Sequence, residues 1–494
     1  MRWLTSILLA CGLAAGAAVA RPSAGPTEYD WGFLASRHPD LHGIWHTKAA
    51  GPLFEAVTTT NGPSLEAWRP FYATAEHPAM GRANQEYLWP IAQSRKIGDQ
   101  SVWRCLVFMG FNHDLTTNQP RQRTWILPFY FSGRDSTGAT YHAVFPFGGS
   151  IHEFLGRDEI NFVLFPLYST SRLNDLRTRN WLWPFVSVTH GEGTYRFRVL
   201  PFYAHSVRAG QYDKKFYLWP FWSQVRYDDP HHPGGGFMLW PLYGQVKVPG
   251  QVTRWYLPPF FKFAHAPKMD VVHAPWPFVQ YARSKVPGQT PGPLFGRTND
   301  AELAKLYLWP FWGRKQVGIV DRSFALWPFV WWQTAARADR VQHRFQVAPF
   351  LFAQREVSTS NQQVVARYNR VWPLYSYRRE GPESRLRTLE LWPFAQNGAV
   401  ERNWAPLWTL YSRHRLGAQV DTEVLWGLYR DLNRGADYRH VSLFPFYEQT
   451  RRAEGPRASW SVLKGLVGRE RVGSHVRWRL LYFLTFGCIP EDEP

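Results

Sequence analysis

The chain has 494 residues, 45% hydrophobic and 19% charged. With 26 Trp, 23 Tyr and 34 Phe it is too apolar for a disordered chain, and its 38 Gly show no three-residue period, which excludes collagen. Lys+Arg total 57 against 38 Asp+Glu, a net charge of +19 that favours anionic partners: lipid headgroups, acidic glycans or other polyanions.

Residues 1–20 read as a secretory signal. Arg2 precedes the apolar run from Leu4 to Ala10, and Ala18-Val19-Ala20 supplies a small-residue cleavage site before Arg21. No apolar run of about 20 residues follows, so no transmembrane helix is expected.

Residues 21–48 read as an irregular lead segment. His38, His42 and His46 are spaced four apart around Asp40 and would share one face of a helix, as metal ligands do. Pro39 and Gly43 argue against a helix there. The simpler expectation is scattered polar residues and no metal or cofactor.

Residues 49–487 carry a repeat. Its core is apolar-aromatic-Pro-aromatic, as in Leu182-Trp183-Pro184-Phe185, Leu218-Trp219-Pro220-Phe221, Leu308-Trp309-Pro310-Phe311 and Leu326-Trp327-Pro328-Phe329. Pro90 and Pro445 bound 20 copies, some degenerate, so the period is about 18.7 residues. Turn signals such as Ile97-Gly98-Asp99 and Val248-Pro249-Gly250 lie between them. Allowing about 5 residues for each turn leaves about 13 for one long strand with Pro near its middle. The fold expected is all-β: about 20–24 antiparallel up-and-down strands in one large closed β-barrel.

Counting from Pro, alternate positions such as Phe216, Leu218, Pro220 and Trp222 form one apolar face. The opposite face is polar at its ends and aromatic at its centre. In a barrel, Trp183, Trp219, Phe221, Trp240, Trp309, Phe311, Trp327, Trp372 and Trp392 would form a lumen constriction or core. Arg196, Arg198, Arg370 and Arg378 would be the basic lining. Dispersed Lys and Arg elsewhere, such as Lys214 and Arg314, read as solvation of a greasy sheet.

Three facts weigh against the barrel: the Pro at mid-strand, steps of similar length where outer-membrane barrels alternate short turns with long loops, and an aromatic centre on the second face. A mid-strand Pro cannot donate to the ladder, and in lipid the orphaned carbonyl costs several kcal/mol. The competing architecture bends at each Pro, with hairpin arms between motifs. The expected function is an outer-membrane pore or translocation scaffold for anionic or amphipathic solutes. The alternative is a soluble periplasmic or secreted structural protein whose basic hairpin tips contact anionic envelope polymers.

No nucleophile elbow, phosphate loop or dinucleotide fingerprint stands out, and no enzyme is expected. The turn holding Asp228, Asp229, His231 and His232 reads as a solvated loop. Export and fixed Trp positions argue against nucleic acid. Membrane lipid is the expected partner, with anionic solutes or glycans next. After removal of Cys11 with the signal, Cys105 and Cys488 remain, and a bridge between them would seal the ends of a ring. Residues 488–494 form an acidic tail.

Overall fold

The computed structural model describes residues 28–59, 64–116, 120–284, 303–394, 396–453 and 457–487. The expected signal, the first part of the expected lead segment, Cys488 and the acidic tail lie outside the described residues.

The described chain is all-β. It forms 46 strands in one antiparallel sheet, and each strand pairs with its successor. The exceptions are three single 3-10 turns and two short helices, α1 (Gly398–Asn403) and α2 (Ala405–Trp408). Among the described residues no helix is long and apolar enough to cross a membrane.

The strand count corrects the expectation of 20–24, because each repeat is two short strands and not one long one. β21 (Tyr212–Tyr217) runs into Leu218-Trp219-Pro220-Phe221, reverses, and returns as β22 (Trp222–Tyr227). The chain then reverses again at residues 228–233. Phe216, Leu218, Pro220 and Trp222 therefore cap a hairpin and do not form one continuous strand face.

The Pro motif itself causes the reversal. The Phe221 N–H donates to the Leu218 carbonyl at 2.8 Å, closing a four-residue turn with Pro220 third. A missing N–H is harmless at that position, whereas mid-strand it would orphan a carbonyl. Leu218 sits at φ +47°, which no strand continues through. Neighbouring Pro turns also bond to each other: the Leu218 N–H donates to Phe202 at 2.7 Å and the Trp219 N–H to Pro201 at 2.6 Å. The ladder thus runs on through the row of turns, which removes the objection raised by Pro.

Two strands per repeat place the Pro turns along one edge of the ribbon. The other edge carries polar turns, several of them closed by glycine in the left-handed region, as at Gly98 (φ +55°) and Gly250 (φ +73°).

The described part of the lead segment 21–48, expected to be irregular, also belongs to the sheet. It forms β1 (Tyr29–Trp31), β2 (Ala35–Pro39) and β3 (Trp45–Ala49).

No ladder joins β1 to β46 (Leu484–Phe486) among the described residues, so the sheet is not closed edge to edge. The first strands instead pack face to face against elements that lie well before β46. Asp30 on β1 reaches Arg430 on β40 (Tyr429–Asn433). Lys48 on β3 reaches Glu423 on β39 (Gln419–Val424). Glu86 on β7 (Arg82–Tyr87) reaches Arg402 and Asn403 on α1. Rising strand numbers meet falling ones, so one face of the ribbon doubles back on itself as a two-layer seam.

A second bend lies between β13 (Thr140–Val144) and β14 (Gly148–Phe154), which share only two ladder positions. Gly149 permits it: its φ is +134°, and a Cβ there would lie 2.4 Å from the Ala143 Cα. Phe131, Tyr141, Ala143, Ile151 and Phe162 close around this corner as a small apolar core.

Candidate functional site

Three features stand out: an aromatic rim, a concave groove opening from it, and the polar seam.

The rim is the row of Pro turns. Its residues are apolar yet largely open to solvent: Phe185 is 54% exposed, Phe202 61%, Phe311 69% and Phe329 57%. An apolar row of this length along one edge is far beyond ordinary surface scatter. Rings of successive turns touch. Phe165–Trp183, Phe221–Trp240 and Trp309–Trp327 have centroids 5.7, 6.0 and 5.7 Å apart. Just inside the turns, cross-strand pairs continue the aromatic band, as in Tyr203–Tyr217 at 5.3 Å and Tyr243–Tyr256 at 5.2 Å. Further along the same strands the side chains turn charged, with Asp213, Lys214 and Arg226 as examples. The apolar band is therefore the turn and the nearest strand residues only.

The groove lies on the concave face running from β12 (Tyr130–Arg134) to β20 (Tyr203–Arg208) and has a volume of about 680 Å³. Its apolar wall includes Phe131, Phe145, Phe162, Phe165 and Phe197. Leu127, Pro128 and Trp183 belong to rim turns, so the groove opens onto the rim. Arg157, Arg196 and Arg198 also line it, together with Ser and Thr hydroxyls. An apolar trough with guanidinium groups suits an amphipathic anion.

The seam is polar. Arg430 is 1% exposed and lies 3.3 Å from Asp30 and 3.5 Å from Glu423. Burial pushes the Asp30 carboxyl up. Hydrogen bonds from His440 (3.2 Å) and Ser442 (2.6 Å), the Arg430 charge and the Gly32 N–H outweigh it and hold the group well below the usual range. His46 lies 3.6 Å from Asp40 and 3.1 Å from Glu55. Burial would lower its pKa, but these two carboxylates prevail and raise it to about 9. Glu55 also pairs with the buried Arg69, whose Nη1 donates to the Pro52 carbonyl at 3.0 Å. The Trp404 indole donates to the Trp89 carbonyl at 2.9 Å, and Phe33 meets Phe444 edge-on at 5.7 Å.

All but one of the aromatic residues singled out in the sequence sit in the rim. Trp183, Trp219, Phe221, Trp240, Phe311 and Trp327 are exposed there, and Trp309 and Trp372 are half-buried. Trp392 is half-buried beside Trp89 at 6.4 Å, in the irregular segment leading to α1. The four arginines do not form one lining. Arg196 and Arg198 share the groove, while exposed Arg378 pairs with Glu380 at 3.0 Å. Arg370 is buried, and its guanidinium donates to the carbonyls of Pro393, at 2.7 Å, and Phe394, bracing that segment. Cys105 ends β9 (Gln100–Cys105) and has no disulfide partner among the described residues; the expected bridge to Cys488 lies outside them.

The His38, His42 and His46 trio disperses. His38 is buried and His46 joins the carboxylates, while exposed His42 reaches across to Glu383 at 3.7 Å. Sequence reasoning missed Arg157, the groove phenylalanines and the Asp30–Arg430 seam. The phenylalanines carried a signal as parts of the repeat; the seam partners, far apart in the chain, carried none. Compared with known proteins, the chain matches no family model and no curated sequence.

Proposed function

We propose that this protein is an exported envelope protein that seats its Pro-turn rim in a lipid surface and holds anionic, amphipathic molecules in the groove behind it. The observation that carries the reading is the segregation of exposed Leu, Trp and Phe onto one edge of a 46-strand ribbon. Lipid is the partner that covers a long, curved apolar edge without needing a matching shape.

Strand length decides how deep the protein sits. Six residues extend about 20 Å, whereas a transmembrane strand takes about 9–11 residues. The apolar band is shorter still, and it suits the 5–10 Å or so that interfacial elements bury. Tyr and Trp just inside the turns fit the headgroup level, where such rings are enriched. Shallow seating is thus better supported than a spanning pore. The groove mouth at Leu127, Pro128 and Trp183 would then open at the lipid surface, and Arg157, Arg196 and Arg198 would pair with an anionic headgroup.

The test is flotation of the purified full chain with vesicles. Neutral vesicles with and without anionic lipid should both carry the protein upward, the anionic ones more strongly. Replacing Phe185, Phe202, Phe221 and Phe311 together by Ser should reduce flotation at least tenfold. Equal flotation of this variant would exclude the rim as the anchor.

The second reading, a structural protein whose basic tips bind anionic polymers, draws on the opposite edge. Lys96, Arg208 and Lys247 lie near its turns. That reading predicts salt-sensitive binding to acidic glycan that the rim substitutions leave intact.

A further inference from the structure

A separate observation points to a metal. His42, Glu383 and His414 each offer one ligand atom, and these atoms all lie within 4.8 Å of one another. His42 Nε2 is 3.7 Å from Glu383 Oε2, and His414 Nε2 is 2.8 Å from Glu383 Oε1. Ligands about 2.1 Å from a tetrahedral ion lie about 3.4 Å apart, so small side-chain shifts complete the shell. Two imidazoles and one carboxylate are a donor set that zinc accepts, leaving the fourth position for water.

The backbone presents these groups deliberately. Asp40 accepts from the His42 N–H at 2.8 Å and the Ile44 N–H at 2.9 Å, which fixes the turn that projects His42 across the seam. Glu383 opens β37 (Glu383–Thr388), and His414 lies on the adjoining β38 (Tyr411–Leu416). The three ligands thus come from both layers. Arg385 touches the same atoms, its Nε 3.0 Å from Glu383 and 3.3 Å from His414. Its side chain is 60% exposed and free to turn into solvent when an ion takes those lone pairs.

We propose that His42, Glu383 and His414 bind one divalent transition-metal ion, with zinc the best match, and that the ion clips the two layers of the seam together. This inference does not depend on how the rim is used.

Metal-free full-length protein should be titrated with zinc at neutral pH by calorimetry, with bound metal counted after dialysis. One equivalent should bind and raise the melting temperature. Cobalt in place of zinc should give the intense visible absorption of a tetrahedral site. His42→Ala, at an exposed turn position, keeps the fold and should weaken binding at least tenfold and abolish the thermal shift. His414→Ala and Glu383→Gln should weaken binding likewise, with folding checked by circular dichroism. The double variant His231→Ala/His232→Ala, in a distant turn, should bind as the parent does. Binding unchanged in His42→Ala, binding lost in the distant-turn variant, or no binding to the parent chain would each overturn the assignment.

Discussion

Asp30 and Arg430 lie 400 residues apart in the chain, yet their side chains meet at 3.3 Å, with Arg430 fully buried. A buried ion pair is weak evidence for net stability, but removing one partner strands the other. Arg430→Met should therefore cost about 3–5 kcal/mol in urea unfolding. Asp30→Asn combined with Arg430→Met should recover a good part of that loss, since the stranded carboxylate is gone. Equal losses in the single and double variants would show that the pair does not hold the seam.

The seam also sets a pH dependence. His46 is raised to about 9 in the folded chain, against about 6.5 for an unperturbed histidine. Its contribution is fully present below pH about 6.5 and is lost as pH rises through about 9. Asp30, Asp40 and Glu55 are all lowered, so their contributions are present above their ordinary range near pH 4 and are lost as pH falls below it. Melting temperature should thus decline from pH 6.5 to pH 9.5, and His46→Gln should flatten that decline. A parent curve that rises over this interval would contradict the pairing.

The groove makes a charge prediction. Arg196→Glu with Arg198→Glu should weaken binding of a fluorescent long-chain fatty acid about tenfold or more, measured by titration in detergent-free buffer. A neutral lipid analogue should lose much less. Comparable losses for both probes would mean that the arginines do not read the headgroup.

The corner at Gly149 is a backbone requirement. Gly149→Ala meets both a positive φ and a Cβ contact of 2.4 Å with the Ala143 backbone. It should destabilise by several kcal/mol, and Phe131 and Phe162 should become accessible to limited proteolysis nearby. Gly98→Ala is the control. It has a positive φ but nothing within 4 Å of the added Cβ, and it should cost only about 1 kcal/mol.

Much of the architecture was readable from the repeat. Tyr, Phe, Trp and Val at regular spacing with Gly turns indicated antiparallel strands, and the Pro motif marked a special level in each unit. What misled was the unit itself. Thirteen residues fit one long strand, but the whole repeat also holds two strands of six around the four-residue Pro turn, with a short polar turn to spare. Leu218-Trp219-Pro220-Phe221 decided between them through its missing N–H, a signal noted in the sequence as an objection to the barrel. The apolar face inferred for a strand was in fact a hairpin tip. The seam was not legible at all, because Asp30, Lys48 and Glu86 find partners more than 300 residues away, and no local pattern encodes them. The groove was half legible: Arg196 and Arg198 were singled out, but the bend at Gly149 that makes their face concave was not.

The most direct test of rim docking is depth-resolved quenching of tryptophan fluorescence by brominated lipids. Vesicles carrying bromine high on the acyl chain should quench the bound protein most, and vesicles brominated near the bilayer centre should quench it little. Trp183→Phe with Trp219→Phe and Trp327→Phe should remove a large share of the shallow quenching. Maximal quenching at the bilayer centre would contradict shallow seating in favour of a spanning structure. No quenching at any depth would contradict the membrane reading altogether.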